Sequence, residues 1–518
     1  MMRRSRIISQ GIFLLLFIFL FLQTESKGAD ELGYPVRLFL DFDPLILVTT
    51  LLAAHAASIA FYLSLIMIVL TAVFGRVFCG WACPLGTLHN MIGVMKKTRE
   101  RAALTNWYRF KYFILVFLLI SSLFTLQLVG IMDPLSLLIR SFSISIYPLF
   151  NSAIRASFDT AYDLDISALR DITESVYSFF KNTLLSFEQP YYQQSIFIGL
   201  IFFAILALNL FQRRFWCRYL CPLGALLGVI SRYSLLKRSV SEGCTSCGLC
   251  SRECQDGAIS GEPDGDGKAW RPAECIACRN CDDICPAKVV SFGFRKDSEA
   301  VPIDLGRRRI ITSALAGLVA VPLMRSTALS KKGYSEPTLI RPPGSLEERD
   351  FLERCVKCGE CMRVCITNGL QPTLLEAGLE GIWTPMLVSR IGYCEYRCTL
   401  CGQVCPTGAI KRLPLEEKVK VKIGLAMIDK GRCLPYAQSQ ACIVCEEVCP
   451  TAKKAIWFEQ TTVTDREGRK LLLKQPHVDL DLCIGCGICE TKCPVKGEPA
   501  IYVISVGESR SRENQVLL

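Results

Sequence analysis

The chain has 518 residues, 28 cysteines, a hydrophobic fraction of 51% and a net charge of +11, with a mean hydropathy of +0.32. These values exclude a plain soluble enzyme and call for three or four domains that combine membrane helices with metal. The cysteines recur at fixed short spacings along a long chain, unlike the disulfide framework of a small secreted domain, and the basic excess sits beside apolar segments, where it signals topology and not nucleic acid.

Arg3, Arg4 and Arg6 precede an apolar run over residues 7–23 that has no small-residue cleavage site. A retained first helix with its amino end inside is expected. Residues 45–75 exceed one straight span, so a re-entrant or lipid-edge helix over 45–57 should lead into a second span over 58–74. Third and fourth spans are expected over 113–131 and 195–211.

Lys and Arg orient these spans. Arg76, Lys96, Lys97, Arg99, Arg101, Arg109 and Lys111 lie between the second and third, and Arg213, Arg214 and Arg218 follow the fourth. The other connections carry Asp41, Asp43, Asp159, Asp163 and Asp165. Both ends of the four-helix unit should therefore face the cytoplasm. The long outer loop, 132–194, has aromatic and amphipathic stretches suited to the membrane interface.

A repeat closes the second and fourth spans: FCGWACPLG over 78–86 and WCRYLCPLG over 216–224. Two helical hairpins would bring Cys79, Cys83, Cys217 and Cys221 to one membrane face, with Pro84 and Pro222 in the first turn of a following helix. Thiols three residues apart can serve one metal ion or one redox partner, copper among them; the structural alternative is cysteines packed as small hydrophobes at a helix start. His55 and His89 do not pair by spacing as axial ligands of a transmembrane haem. A structural histidine, or for His89 a polar group near a quinone headgroup, is the expectation.

From Cys244 and from Cys275 the chain runs C-x2-C-x2-C-x3-C, the ligand pattern of bacterial [4Fe–4S] proteins. Three cysteines of each run cap one cluster and the fourth is directed to the neighbouring one. This assigns Cys244, Cys247, Cys250 and Cys285 to one cluster, and Cys275, Cys278, Cys281 and Cys254 to the other. Zinc sites instead pair two separated C-x2-C knuckles. A Gly- and Asp-rich turn over 261–267 joins the halves.

Arg307, Arg308 and Arg309 then precede fifteen uncharged residues, 310–324, short for a span and near the length of an export signal's apolar region. Four spans that start inside return the chain to the cytoplasm, where a twin-arginine signal is read. The segment is expected to be a fifth anchor or a cleavage point.

After the connector, 325–344, come four more quartets: Cys355, Cys358, Cys361, Cys365; Cys394, Cys398, Cys401, Cys405; Cys433, Cys442, Cys445, Cys449; and Cys483, Cys486, Cys489, Cys493. The second and third carry x3 and x8 insertions before their second ligand. Short strands are expected after the quartets, at Ala409-Ile410, Ala455-Ile456 and Ala500-Ile501. Six quartets use 24 of the 28 cysteines and the CxxxCP motifs use the rest. Spacing leaves sequential or nested pairing of the last four quartets open.

With these motifs in place, residues 1–300 resemble the NapH-type membrane polyferredoxins, and residues 307–500 the NapG/MauM-type periplasmic four-cluster ferredoxins, here fused in one polypeptide. The expected fold is a four-helix transmembrane bundle with α+β bacterial ferredoxin-like modules. Its domains run over 1–238, 239–300, 305–345 (the twin-arginine-like segment and connector) and 346–506. The resemblance implies nested pairing in the last domain. It also implies electron transfer through six [4Fe–4S] clusters between the quinone pool of the lipid membrane and a periplasmic partner such as a reductase or cytochrome. That would make the chain a quinol-dehydrogenase component of a respiratory chain, multi-pass in the cytoplasmic membrane, with the first ferredoxin module cytoplasmic and the second periplasmic.

Full thiolate ligation leaves no open iron for substrate, and the chain has no Rossmann fingerprint or P-loop, so a redox relay is expected and not a complete enzyme. Two other readings remain: a copper reductase or metalloenzyme maturation factor acting through the CxxxCP thiols, and a redox-sensing regulatory polyferredoxin.

Overall fold

Four helices in the first part of the chain begin with one local device, an acceptor side chain followed by proline. In the Asp43-Pro44-Leu45 start, Asp43 Oδ1 accepts the amides of Leu45 (2.8 Å) and Ile46 (3.3 Å) at the head of the helix Pro44–Ala54. Asp133 Oδ2 does the same for Leu135 (3.1 Å) and Ser136 (2.7 Å) at the head of Pro134–Ser141. At the other two starts the acceptor is sulfur: Cys83 Sγ takes the Gly86 amide at 3.4 Å and Cys221 Sγ the Gly224 amide at 3.3 Å. A proline in the first turn costs nothing because its missing N–H has no helical partner there, and the side chain satisfies one that remains.

The computed structural model describes residues 2–26, 28, 30–55, 62–95, 107–163, 167–186, 188–259, 270–294, 305–325, 337–464 and 470–515. The start of the expected second span, the basic residues Lys96 to Arg101 and the turn at 261–267 lie outside them. The chain divides into two compact units, one of residues 1–23, 34–141 and 197–323, the other of 24–33, 142–196 and 324–518.

In the first unit, apolar residues face outward and small polar ones inward. Leu65, Val69, Leu200 and Phe203 are exposed while Ser64, Thr71, Ser121 and Ser122 are buried. In water this distribution is unfavourable; against lipid it is the ordinary one. Two helices among the described residues are long and apolar enough to cross a membrane, Arg3–Gln23 and Pro134–Asp163. The other apolar helices, Tyr62–Phe74 and Ser195–Leu210 among them, are shorter.

Two expectations need correction. The third span does not run through residue 131: its helix, Phe110–Leu123, stops before Thr125, whose φ of 66° cannot continue a right-handed helix, and Val129–Met132 is a separate turn. The loop 132–194, expected to lie along the interface in aromatic and amphipathic stretches, instead contains a helix long and apolar enough to cross a membrane. The Asp133 cap starts a 30-residue apolar helix there, and Ser167–Thr183 follows as a second helix.

The first ferredoxin module closes on an antiparallel strand pair, Leu236–Val240 with Val290–Phe294, in which Arg238 faces Phe292. The arginine-led segment forms the helix Arg307–Arg325. A Cβ at Gly317 would lie 2.8 Å from Phe117 O, so this glycine lets the helix pack directly on Phe110–Leu123.

In the second unit the strands are short and paired: Leu370–Pro372 with Pro385–Leu387, Leu425–Ile428 with Ile501–Ile504, and a nine-residue hairpin of Ile456–Thr464 with Lys470–Val478. Strands begin at Ile456 and Ile501, whereas Ile410 forms only an isolated bridge to Ser345. Segments 24–33 and 142–196 belong to this unit. Arg363 pairs with Glu25 (3.0 Å) and stacks over Tyr147 (3.8 Å to the ring centroid), while Asp30 accepts from the Thr399 amide (2.6 Å) and hydroxyl (2.8 Å). Tyr192 donates to Met362 O at 3.0 Å.

Candidate metal centres

The four uninterrupted C-x2-C runs share one backbone conformation. The residues two and four positions after the first cysteine have positive φ: Ser246 and Gly248 (50° and 69°), Ala277 and Arg279 (49° and 56°), Lys357 and Gly359 (54° and 84°), Gly485 and Gly487 (72° and 83°). Alternation of this kind turns successive amides to one side and makes a concave nest for an anionic group. Side chains at positive φ carry a backbone cost, so its repetition at Ser246, Ala277, Arg279 and Lys357 shows that the loop shape is imposed in common.

Each loop presents its thiols to one cavity, and the last thiol comes from the paired run. One cavity is lined by Cys244, Cys247, Cys250 and Cys285, another by Cys254, Cys275, Cys278 and Cys281. In the second unit Cys355, Cys358 and Cys361 share a cavity with Cys405, and Cys394, Cys398 and Cys401 share one with Cys365. Cys433, Cys442 and Cys445 stand with Cys493, and Cys449 lies beside Cys483 and Cys486, with Cys489 next to them. The nested pairing expected from resemblance is therefore wrong. The pairing is sequential, because the fourth cysteine of each run crosses to its immediate neighbour in the chain.

The donor set suits an iron–sulfur cluster. Among the described residues no three His, Cys, Asp or Glu side chains stand close enough to share one metal ion, which is what a zinc knuckle would need; a cubane instead holds its four thiolates apart around its corners. Backbone amides point at the sulfurs, from Ala258 to Cys254 (3.1 Å), Ile410 to Cys405 (3.4 Å) and Ala426 to Cys483 (3.5 Å). Burial, and then the neighbouring thiols, push Cys275 up to about 12. Such a thiol ionises only against a compensating cation, which bound iron supplies along with one-electron redox chemistry.

The CxxxCP cysteines are all buried, and their two motifs exchange arginines. Arg214, ahead of the second motif, donates to Cys79 O in the first at 2.7 Å. A Cβ at Gly86 would meet Arg214 Nη2 at 3.0 Å, and one at Gly224 would meet Arg76 Nη2 at 2.8 Å. The Cys-Pro-Leu-Gly glycines thus make room for the opposite motif's guanidinium. Each arginine continues into the ferredoxin module, Arg214 to Asp256 (3.3 Å) and Arg76 to Ala273 O (3.1 Å) and Glu274 (3.5 Å). Glu274 also accepts from Tyr112 (2.7 Å) and Lys111. A buried carboxylate survives only with this many donors. The single-ion geometry offered by spacing for these four thiols is absent.

His89 is buried and His55 ends its helix in the left-handed region. The Asn209 amide is oriented by accepting the Arg214 N–H (2.9 Å) and donating to Leu206 O (2.9 Å), so its nitrogen, 2.6 Å from His89 Nδ1, donates there. The His89 proton then sits on Nε2, which has no hydrogen-bond partner among the described residues.

Sequence reasoning missed Asp43 and Asp133, each fully buried with one oxygen capping a helix and the side chains in contact with each other. The repeated Asp-Pro-Leu, once in each half ahead of CxxxCP, was the available signal.

Segments 58–101 and 194–241, which carry the two CxxxCP motifs, match a family described as a 4Fe-4S binding domain; 237–286 match a 4Fe-4S dicluster domain, and 476–496 a 4Fe-4S binding domain. Over 212 residues, 40% of this chain and 91% of the relative, the sequence is 36% identical to the methylamine utilization ferredoxin-type protein MauM of Methylorubrum extorquens. The chain belongs to the NapG/MauM family of ferredoxin-type proteins. The ferredoxin-type protein NapG of Escherichia coli is 35% identical over 210 residues, 38% of this chain and 85% of that protein. The putative electron transport protein YccM of the same organism is 29% identical over 252 residues, 47% of this chain and 58% of that protein. No solved structure matches. As a member of the NapG/MauM family the chain is an iron–sulfur, ferredoxin-type electron-transfer protein.

Proposed function

We propose that the protein carries electrons between the membrane quinol pool and a periplasmic redox partner, with six [4Fe–4S] clusters held by the 24 cysteines named above. The observation that carries this reading is the seat of the Cys254, Cys275, Cys278, Cys281 cavity. A Cβ at Gly80, in the first CxxxCP motif, would lie 2.5 Å from Ile276 O, and Trp81 Nε1 donates to Ala277 O at 3.2 Å. The thiol loop thus rests on the ends of helices whose outer faces are apolar. His89 Nε2–H is an unused buried donor suited to a quinone carbonyl, and Asn209 and Arg214 connect it to the same cavity.

The arrangement in the membrane follows from which segments each module takes in. The first ferredoxin module belongs with the amino end of the first span, where the Arg3 amide reaches Asp283 (3.3 Å) and Arg6 reaches Gln255 (3.4 Å). The four-cluster module belongs with residues 24–33, which follow that span, and with the expected outer loop. We therefore assign the first module to the cytoplasmic side and the second to the periplasmic side, with Arg307–Arg325 as a retained anchor.

Reporter fusions after residues 240, 300 and 345 test this arrangement: cytoplasmic, cytoplasmic and periplasmic signals are expected, and cytoplasmic signals at all three overturn it. For the activity, the cluster-replete protein in liposomes should be reduced by a menaquinol or ubiquinol analogue. Failure with both, in protein that dithionite still reduces, overturns the quinol reading.

A further inference from the structure

The two CxxxCP motifs meet the first ferredoxin module at equivalent positions. The residue after the first cysteine is Gly80 in one and Arg218 in the other. Gly80 lies against Ile276 in the loop Cys275–Cys278, and Arg218 lies against Gly257 in the turn after Cys254, where Gly257 has a φ of 68° and a Cβ would collide with the guanidinium. Both motifs therefore close on the one cavity lined by Cys254, Cys275, Cys278 and Cys281.

Two carboxylates line this cavity, and cations answer both: Asp256 pairs with Arg214 (3.3 Å) and Glu274 with Arg76 (3.5 Å) and Lys111, so that Arg6 and Arg218 add positive charge beyond these pairs. Arg6 reaches Gln255, the residue after Cys254, at 3.4 Å and neighbours the Cys278 thiol, Arg214 stands beside the same thiol, and Arg218 stands beside Cys254. Arg6 and Arg214 are 3% and 1% exposed, so their fields are poorly screened. Among the described residues none of the three is placed against the companion thiols, where Arg252 neighbours the exposed Cys247, and of the lining arginines Arg279 belongs to the Cys254 cavity alone. Arg238 lines both cavities and does not distinguish them.

We propose that the paired CxxxCP motifs are a cradle for the cluster of Cys254, Cys275, Cys278 and Cys281, and that Arg6, Arg214 and Arg218 hold its reduction potential above that of the Cys244, Cys247, Cys250, Cys285 cluster, making it the unit's electron-receiving site. The inference deepens the quinol reading by naming the acceptor. Reduction adds one negative charge to an already anionic cluster; guanidinium groups at its thiolates stabilise that form, whereas an exposed neighbour relies on solvent. The arginines are positioning residues in this account.

The test is a mediated redox titration of the full-length, cluster-replete protein followed by electron paramagnetic resonance, with C281S and C250S assigning the two signals. In the native protein the C281S-sensitive signal should be reduced first. R218Q and R6Q should each lower its reduced-to-oxidised ratio at fixed poise about tenfold, 59 mV for a one-electron couple, and leave the C250S-sensitive signal in place; R218K should restore most of the shift. A smaller change in both variants, or an equal shift of the two signals, overturns the proposal. Arg214 is omitted from the decisive set because its ion pair with Asp256 is fully buried and R214Q risks the fold. Chemical mediators replace quinol throughout, so this result and the liposome result fail independently.

Discussion

The amide of Cys394 donates a hydrogen bond to the carbonyl oxygen of Cys486 at 2.8 Å. The two cysteines belong to different dicluster halves of the second unit, so this bond ties the thiol loop of the second quartet to that of the fourth. Cys394 also lies beside the Cys486 sulfur. The cavities therefore form a sequence: Cys355/358/361/405, Cys394/398/401/365, Cys483/486/489/449, then Cys433/442/445/493. Adjacent members within each half share a crossed pair of cysteines, and the thiol loops of the two halves meet at this junction. The pairing makes a sharp prediction. C405S should weaken the cluster of Cys355, Cys358 and Cys361, and C365S that of Cys394, Cys398 and Cys401, each read as one altered paramagnetic signal and about four fewer irons when the cluster is lost. Nested pairing predicts instead that C493S disturbs the Cys355 set, and that outcome would sink the assignment.

Sulfur capping of two helices gives a second prediction. Cys83 and Cys221 accept from the amides of Gly86 and Gly224, a task at which serine is at least as good. C83S and C221S should therefore retain fold and iron content, with thermal midpoints within a few degrees of the native value, about 1 kcal/mol or less. C83A and C221A, which leave the amides uncapped, should cost roughly 0.5–2 kcal/mol each. Loss of iron in both serine variants would show that these thiols are ligands after all.

What the sequence made legible follows from where the information is local. Ligand spacing is local, and the six cysteine quartets could be read from it. Pairing in the second unit is not, because it depends on which loop the chain packs against after Cys365 and Cys449. Helix length was over-read at Phe110–Leu123, where no glycine or proline marks the stop and Thr125 takes the left-handed conformation instead. The membrane-motif cysteines were noticed as a repeat, yet their arginines carried the structural content: Arg76 and Arg214 cross between the motifs, a relationship that spacing along one strand of chain does not reveal. The Asp-Pro-Leu repeat was equally visible and went unread because proline and leucine are ordinary at a helix start.

Glu348 predicts the acid response of the second unit. Its carboxylate takes both Arg341 nitrogens, at 2.5 and 3.1 Å, and Arg510 at 2.7 Å, joining the start of the four-cluster module to its tail. Burial alone would raise it, but Arg341 and then Arg510 pull it down to about 2. A depressed carboxylate contributes stability that is present above its unfolded value, about 4.3, and is lost as pH falls through the folded value. E348Q should therefore remove on the order of 1–2 kcal/mol at neutral pH, allowing for its partial exposure, and flatten the loss of stability between about pH 4.5 and 2. An unchanged acid limb in E348Q would refute the role.

Asp43 and Asp133 predict the opposite slope for the first unit. Both precede the first turn of their helices, each spends one oxygen on capping, and the remaining oxygens, Asp43 Oδ2 and Asp133 Oδ1, have no other donor among the described residues than the facing carboxyl. The side chains contact each other, and burial, followed by the Asp133 charge, pushes Asp43 well above the usual carboxyl range; burial raises Asp133 as well. Two buried carboxylates cannot both ionise without a counter-charge, so the pair holds one proton between them. A raised carboxyl is protonated in the fold and ionised in the unfolded chain, so stability declines as pH rises from about 4 toward the folded value. D43N supplies a neutral capping oxygen and an N–H for Asp133, and should flatten that decline above about pH 4 while preserving the helix start. D43A removes the cap and strands Asp133, and should cost roughly 1–3 kcal/mol. Thermal unfolding of the detergent-solubilised variants against pH separates the cases: a decline in D43N as steep as in the native protein would show that the carboxyls share no proton.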